Sequence, residues 1–263
     1  MEISGPVEPS SLLLGKMSLN KKIMSFWYQN APWDVGGKDL PKWVSFLTDL
    51  QCMQANLTHH LPGSTELELL ATLPSALSWA IHLSSKTLGS TSLNKFLDKA
   101  RALPTVHELL VVSGNPKPKR TSLDLLDELS QLNLPFGLAV AASPLDNYET
   151  LTTKLSHPAV KRLYLQLAEP KYWDPLIAHI RTLRSDIQIS ASWLPVTPAN
   201  WSALSMFPWK GSVLSQDWKN SINYAEACAQ DQLDWMREHN VTPLIEPRRI
   251  TKDLLETVRK YNF

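Results

Sequence analysis

The chain has 263 residues, of which 43% are hydrophobic and 19% charged, and its formal net charge is +1. That length suits one eight-fold α/β barrel of about 250 residues or two small domains. The balanced charge argues against a nucleic-acid partner, because phosphate binding needs a concentrated basic face.

In chain order, residues 1–20 read as a flexible N-terminal tail whose Leu12–Leu14 run precedes Lys16, Lys21 and Lys22, the wrong order for a secretory signal. Strands are expected at Ile23–Tyr28, Gln51–Leu57, Leu77–Leu83, Glu108–Val112, Phe136–Ala141, Arg162–Gln166, Ile187–Trp193 and Val241–Ile245. Helical spacing falls between them at Lys42–Leu50, Leu93–Ala102, Ser122–Leu132, Tyr148–Leu155, Trp173–Arg184, Tyr224–His239 and Thr251–Tyr261. Eight strands alternating with helices predict an α/β fold, a single (β/α)8 TIM barrel over residues 21–263. No strand leads into GxGxxG, which disfavours an open dinucleotide-binding sheet. Cys52 and Cys228 are far apart and form no CxxC pair, so a reducing, cytoplasmic setting is expected. No run approaches the length of a membrane span.

In such a barrel, chemistry sits at the C-terminal ends of the strands. The polar residues falling there include Tyr28, the adjacent His59 and His60, His82, Ser143, Gln166, Glu246, Arg248 and Arg249. Adjacent histidines diverge and make a poor metal pair, so no metal is expected. His82 lies in an apolar run, where a hydrogen-bonded core histidine competes with a ligand role. Gln166 closes Leu163-Tyr164-Leu165, where an unpaired amide is costly, so it needs a partner in the mouth. Trp27 and Trp193 at strand ends could pack or stack on a planar ring.

At these positions the sequence resembles methylenetetrahydrofolate reductase. The family's Arg-Gly-Asp element after strand four is matched by Ser113-Gly114-Asn115, followed by Pro116 and Pro118. Its strand-six Gln is matched by Gln166, its Leu-Pro-Val element by Leu194-Pro195-Val196, its final Asn-Arg pair by Arg248-Arg249, and its strand-three His-Leu pair by His82-Leu83. The ordered set spans residues 23–263.

The resemblance implies a reduced folate as substrate, with Asn115, Gln166, Arg249 and Trp193 toward it, and NAD(P)H as co-substrate. His82 and Lys154 would face the cofactor. The chain departs from the pattern in three places. Aligned on Ser25-Phe26, Trp27 stands where the family has its proton-transferring carboxylate, which leaves Tyr28, Asp34 or Glu246 as candidate proton sources. Ser113 replaces the Arg that meets FAD, and the flavin-binding Tyr-Pro-Glu is replaced by Ser143-Pro144-Leu145-Asp146, which speaks against tightly bound FAD. The expected function is therefore reduction of 5,10-methylenetetrahydrofolate to 5-methyltetrahydrofolate without FAD. Folate-dependent methyl transfer or demethylation, or a non-catalytic folate-binding subunit, are the alternatives, and a homo-oligomer stays open.

Overall fold

A computed structural model describes residues 30–36, 39–58, 65–72, 77–84, 90–112, 121–209 and 211–261. Its sheet is a closed barrel of eight parallel strands in chain order. They are β1 Trp33–Gly36, β2 Gln54–Thr58, β3 Ser78–Ser84, β4 Val106–Val112, β5 Gly137–Ala142, β6 Val160–Leu165, β7 Gln188–Trp193 and β8 Thr242–Ile245. The described helices are α1 Leu40–Asp49, α2 Glu66–Thr72, α3 Ser90–Arg101, α4 Ser122–Ser130, α5 Tyr148–Ser156, α6 Pro170–Leu183, α7 Pro198–Met206, α8 Gln216–Asn220, α9 Ile222–Glu238 and α10 Leu254–Lys260.

One expectation is corrected at the first strand. The barrel position that pairs with β2 and β8 belongs to Trp33–Gly36, whereas Ile23–Tyr28 lies outside the described residues. Four residues with an acid in the second place carry too little periodicity to compete with the longer apolar run upstream. The short α2, α7 and α8 were likewise absent from the expected pattern.

Strand residues alternate between two environments. Trp33, Leu57, Trp79, Ile81, Leu163, Ile189 and Trp193 turn outward into the main core beneath the helices. The inward set holds a second, smaller core of Leu110, Ala139, Tyr164 and Leu244, with Val112 and Ala141 against it. Below these, toward the strands' N-terminal ends, the Tyr164 hydroxyl donates to Glu108 at 2.7 Å and the Arg162 guanidinium lies 3.4 Å from the same carboxylate. The lumen is thus filled from its floor.

Local signals explain the helix starts. Thr121 and Asp124 form a reciprocal capping box at the head of α4. Thr197 caps α7 by accepting from the Asn200 amide. Cys52 and Cys228 are free and buried, and burial pushes both thiols up to about 12, so neither is a thiolate near neutrality. Among the described residues, no helix is long and apolar enough to cross a membrane.

Candidate functional site

Strand register brings a group of polar side chains to the C-terminal end of the lumen. Asp34 and Asn56 are direct neighbours across β1 and β2, and both point inward. His82 follows the same inward period in β3, two residues after Ala80, which is registered with Asn56. Trp33 and Ile245 are paired, so Asp34 and Glu246, each one residue further on, meet at the seam where the barrel closes. The Glu246 amide donates to the Trp193 carbonyl at 2.9 Å, which fixes its backbone against the end of β7. Ser192 of β7, registered with Leu244, faces inward beside it.

This group is largely shielded from water and incompletely paired. His82 Nε2 and Asp34 Oδ1 approach to 3.5 Å with side chains 13% and 12% exposed. At the outer limit of a hydrogen bond, that separation leaves both atoms unsatisfied. Burial raises the Asp34 carboxyl to about 7, partly offset by a hydrogen bond from Glu246. Glu246 is raised well above the usual carboxylate range by burial first and by the neighbouring Asp34 second. Burial lowers His82 to about 4, against the pull of Glu246 and Glu108, so its imidazole is neutral near pH 7. A buried acid that titrates near neutrality, beside a neutral imidazole, can hand a proton to a ligand and recover it.

The other wall is built by Gln166 and a strap formed by residues 207–209 and 211–215. The Gln166 carbonyl accepts from Trp173 Nε1 at 3.1 Å, and its amide donates to the Ala142 carbonyl, so the backbone is held while the side-chain Oε1 is buried without a partner. Gly211, at φ +90°, lies so close that a Cβ there would fall 1.7 Å from that oxygen. The Ser143 hydroxyl donates to the Gly211 carbonyl at 2.6 Å, Val213 pairs with Ala168, and Ser215 donates its amide to Glu169. On the β8 side, the Arg248 amide donates to the Asn200 side chain, its guanidinium donates to the Phe207 carbonyl at 2.7 Å, and it covers the Trp209 ring.

The expected site residues divide accordingly. His82, Gln166 and Glu246 come together at the mouth. Trp193 does not: its indole turns outward, donates to the Ala229 carbonyl on α9 at 3.0 Å and meets the Tyr261 ring edge-on. This corrects the expectation of a substrate-stacking ring, because an odd-numbered place in β7 faces the helices. Lys154 sits buried on α5, with Nζ 3.5 Å from the Ala141 carbonyl. Arg249 is exposed, and the neighbouring Arg248 makes the contacts to the strap. Trp27, Tyr28, His59, His60, Ser113 and Asn115 lie outside the described residues.

Sequence reasoning gave Asp34 no place in the lumen and missed Ser192 altogether. The available signal for Ser192 was the alternation Ser190-Ala191-Ser192-Trp193, polar inward and apolar outward, in a strand already expected. Among the described residues, no group of three or more His, Cys, Asp or Glu side chains is placed to hold a metal. Two surface hollows of about 450 and 460 Å3, one under the end of α4 and one between α6 and α9, lie away from this chemistry.

Fold and site together define the chain as a (β/α)8 barrel with an acidic, incompletely hydrogen-bonded mouth. No family model and no curated protein matches it. Its structure is similar to that of a Clostridium thermocellum protein that binds two copies of 5-methyl-5,6,7,8-tetrahydrofolic acid. Identity is 11%, with 93% of this chain and 97% of that one covered and a TM-score of 0.64. It is also similar to the tryptophan synthase α subunit of Campylobacter jejuni, at 15% identity over 89% and 94% of the two chains, with a TM-score of 0.52. At such identities the likeness is one of fold.

Proposed function

We propose that the barrel binds a reduced folate at its C-terminal mouth and reduces 5,10-methylenetetrahydrofolate to 5-methyltetrahydrofolate with NADH or NADPH. The observation that carries this reading is Asp34. It is a buried acid on the first barrel strand, raised to about 7 by burial, and the resembled reductase family also draws its proton from a strand-one carboxylate. Of the candidate proton sources Tyr28, Asp34 and Glu246, Asp34 takes this role.

In this reaction the nicotinamide gives a hydride to the methylene carbon, the bond from that carbon to N10 breaks with its electron pair remaining on nitrogen, and N10 takes a proton from Asp34. Gln166, whose Oε1 is buried and unpaired, would accept from a donor on the pterin ring. The neutral His82, 3.5 Å from the Asp34 carboxyl, would leave Asp34 its proton. Asn115 and Arg249 remain candidates for the pterin edge and an anionic part of either ligand. The folate bound by the similarly folded Clostridium thermocellum protein supports a folate in such a barrel and says nothing of the reaction.

A flavin has no part in the proposal. The Ser143 amide donates to the Asp146 carboxylate, and its hydroxyl donates to the Gly211 carbonyl and accepts from the Leu145 amide, so the polar groups of the segment at the family's flavin loop are engaged within the protein. Hydride would pass directly between two ring systems held together in the mouth.

The test is titration of the purified protein with 5-methyltetrahydrofolate, read by tryptophan fluorescence, and then NADH or NADPH oxidation with 5,10-methylenetetrahydrofolate in the absence of FAD. Saturable binding and folate-dependent oxidation are expected. Binding without oxidation would reduce the reading to a folate-binding or methyl-transferring barrel, and no binding would remove it.

A further inference from the structure

Asn56 has no task in the reaction as written, yet it is held in a way that destabilises the fold. It is 1% exposed, and its Nδ2 has no hydrogen-bond partner. An amide donor cut off from water and left unpaired is unfavourable. Register fixes its place. Ala55 and Leu57 turn outward into the main core, so Asn56 points into the lumen, flanked by Asp34 on β1 and Ala80 on β3. Ala80 has no polar group to offer, and Thr58, the next inward residue of β2, gives its hydroxyl to the Val35 carbonyl at 2.9 Å. Tyr164 of β6 is the group on the opposite wall that could take the Asn56 N–H, and its own hydroxyl is turned to Glu108 at 2.7 Å. Asp34 Oδ1 also lacks a partner, so the two neighbours do not satisfy each other. A donor and an acceptor thus stand side by side on strands about 4.8 Å apart.

We propose that Asn56 is a specificity-determining residue of this mouth, whose Nδ2 donates to the 4-oxo oxygen of the pterin while Asp34, one strand away, serves N10. The inference rests on the folate reading and adds to it the group on the ring that is recognised. The 4-oxo group stands beside N5, which the methylene carbon bridges to N10, so one ligand can meet both side chains across a single strand spacing. The terminal torsion of an asparagine is soft, and a small turn brings the amide to the ligand. Gln166 on β6 meets the ring from the opposite wall as an acceptor. A pterin with an amino group in place of the 4-oxo group would bring a second donor against Nδ2 and leave both unpaired, which discriminates against it.

The experiment titrates wild type and Asn56→Leu with 5-methyltetrahydrofolate and with its 4-amino analogue, and unfolds both proteins in urea without ligand. Wild type should bind the 4-oxo compound about tenfold more tightly than the 4-amino one. Asn56→Leu should lose most of that preference by weakening toward the 4-oxo compound. Its unfolding midpoint should nevertheless equal or exceed that of wild type, because a leucine of similar size removes a buried donor that had no partner. A purely structural asparagine would not move affinity and stability in opposite directions. A lower midpoint would mean that Asn56 is bonded within the protein, to Tyr164 or to a buried water, and would overturn the proposal. Equal affinity of wild type for the two pterins, which needs no variant, or an undiminished preference in Asn56→Leu would overturn it too, and either would leave the folate reading standing. Wild type that binds neither pterin would sink the folate reading and the role of Asn56 together.

Discussion

Replacing Asp34 with Asn keeps the side chain's size and removes its proton. Turnover in Asp34→Asn should fall about 10^2–10^4-fold, the usual contribution of a positioned acid, with folate binding largely retained. Stability should move the other way with pH. A carboxyl whose pKa is raised on folding, here from 3.8 to about 7, stabilises the fold fully below its unfolded value and loses that contribution as pH rises through 7. Asp34→Asn should therefore gain on wild type between about pH 4 and pH 7, by up to about 4 kcal/mol, in denaturant unfolding at several pH values. A constant difference would mean that Asp34 is not buried as described. His82, with its pKa lowered, acts oppositely in the parent protein, and only the comparison with the variant isolates Asp34. Gln166→Leu belongs at the same scale. Its Oε1 is already unpaired and buried, so stability should change little while folate affinity drops by about 1–3 kcal/mol; unchanged affinity in the titration would take Gln166 out of the site.

Among the elements, the strap over β5 and β6 has a point of little tolerance at Gly211. Gly211→Ala would put a Cβ into the Gln166 amide and force a side chain onto a positive φ. Both the melting temperature and folate affinity should fall, whereas Ser143→Ala, which removes the latch to the Gly211 carbonyl and the bond from the Leu145 amide, should cost about 1–2 kcal/mol and leave affinity closer to wild type. Equal effects in both variants would show that the strap does not position Gln166. Element by element, the sequence was most legible where periodicity was long. Seven strands and the longer helices were expected within a few residues of where they lie, because a buried strand such as Ile187–Trp193 or an amphipathic helix such as Ser122–Leu132 repeats its signal several times. The first strand was misplaced because Trp33–Gly36 is short and interrupted by Asp34. That misplacement also set the strand-one position at Trp27, so Asp34, named only as one candidate proton source, gained its place in the lumen when register joined Trp33 to Ile245. Gln166 and Glu246 stand out in the sequence as polar ends of apolar runs, and His82 as a polar residue within one. Trp193 was misread because a strand end does not reveal which way its last side chain faces.

For the molecule as a whole, a ligand that binds only the folded barrel raises its stability by about 2.7 kcal/mol at 100 times its dissociation constant. 5-Methyltetrahydrofolate should shift the melting curve upward and FAD should not; a clear FAD shift would refute the reading of the Ser143–Asp146 segment. The packed lower lumen gives the site a further property. With Leu110, Ala139, Tyr164 and Leu244 buried together above the Glu108–Arg162 pair, the chamber is closed at its floor. If two flat reactants stack in it as proposed, the one seated against Asp34 and Glu246 enters before the other and departs after it. Steady-state kinetics should then show a compulsory order of addition, with the deeper reactant's product competing only against that reactant.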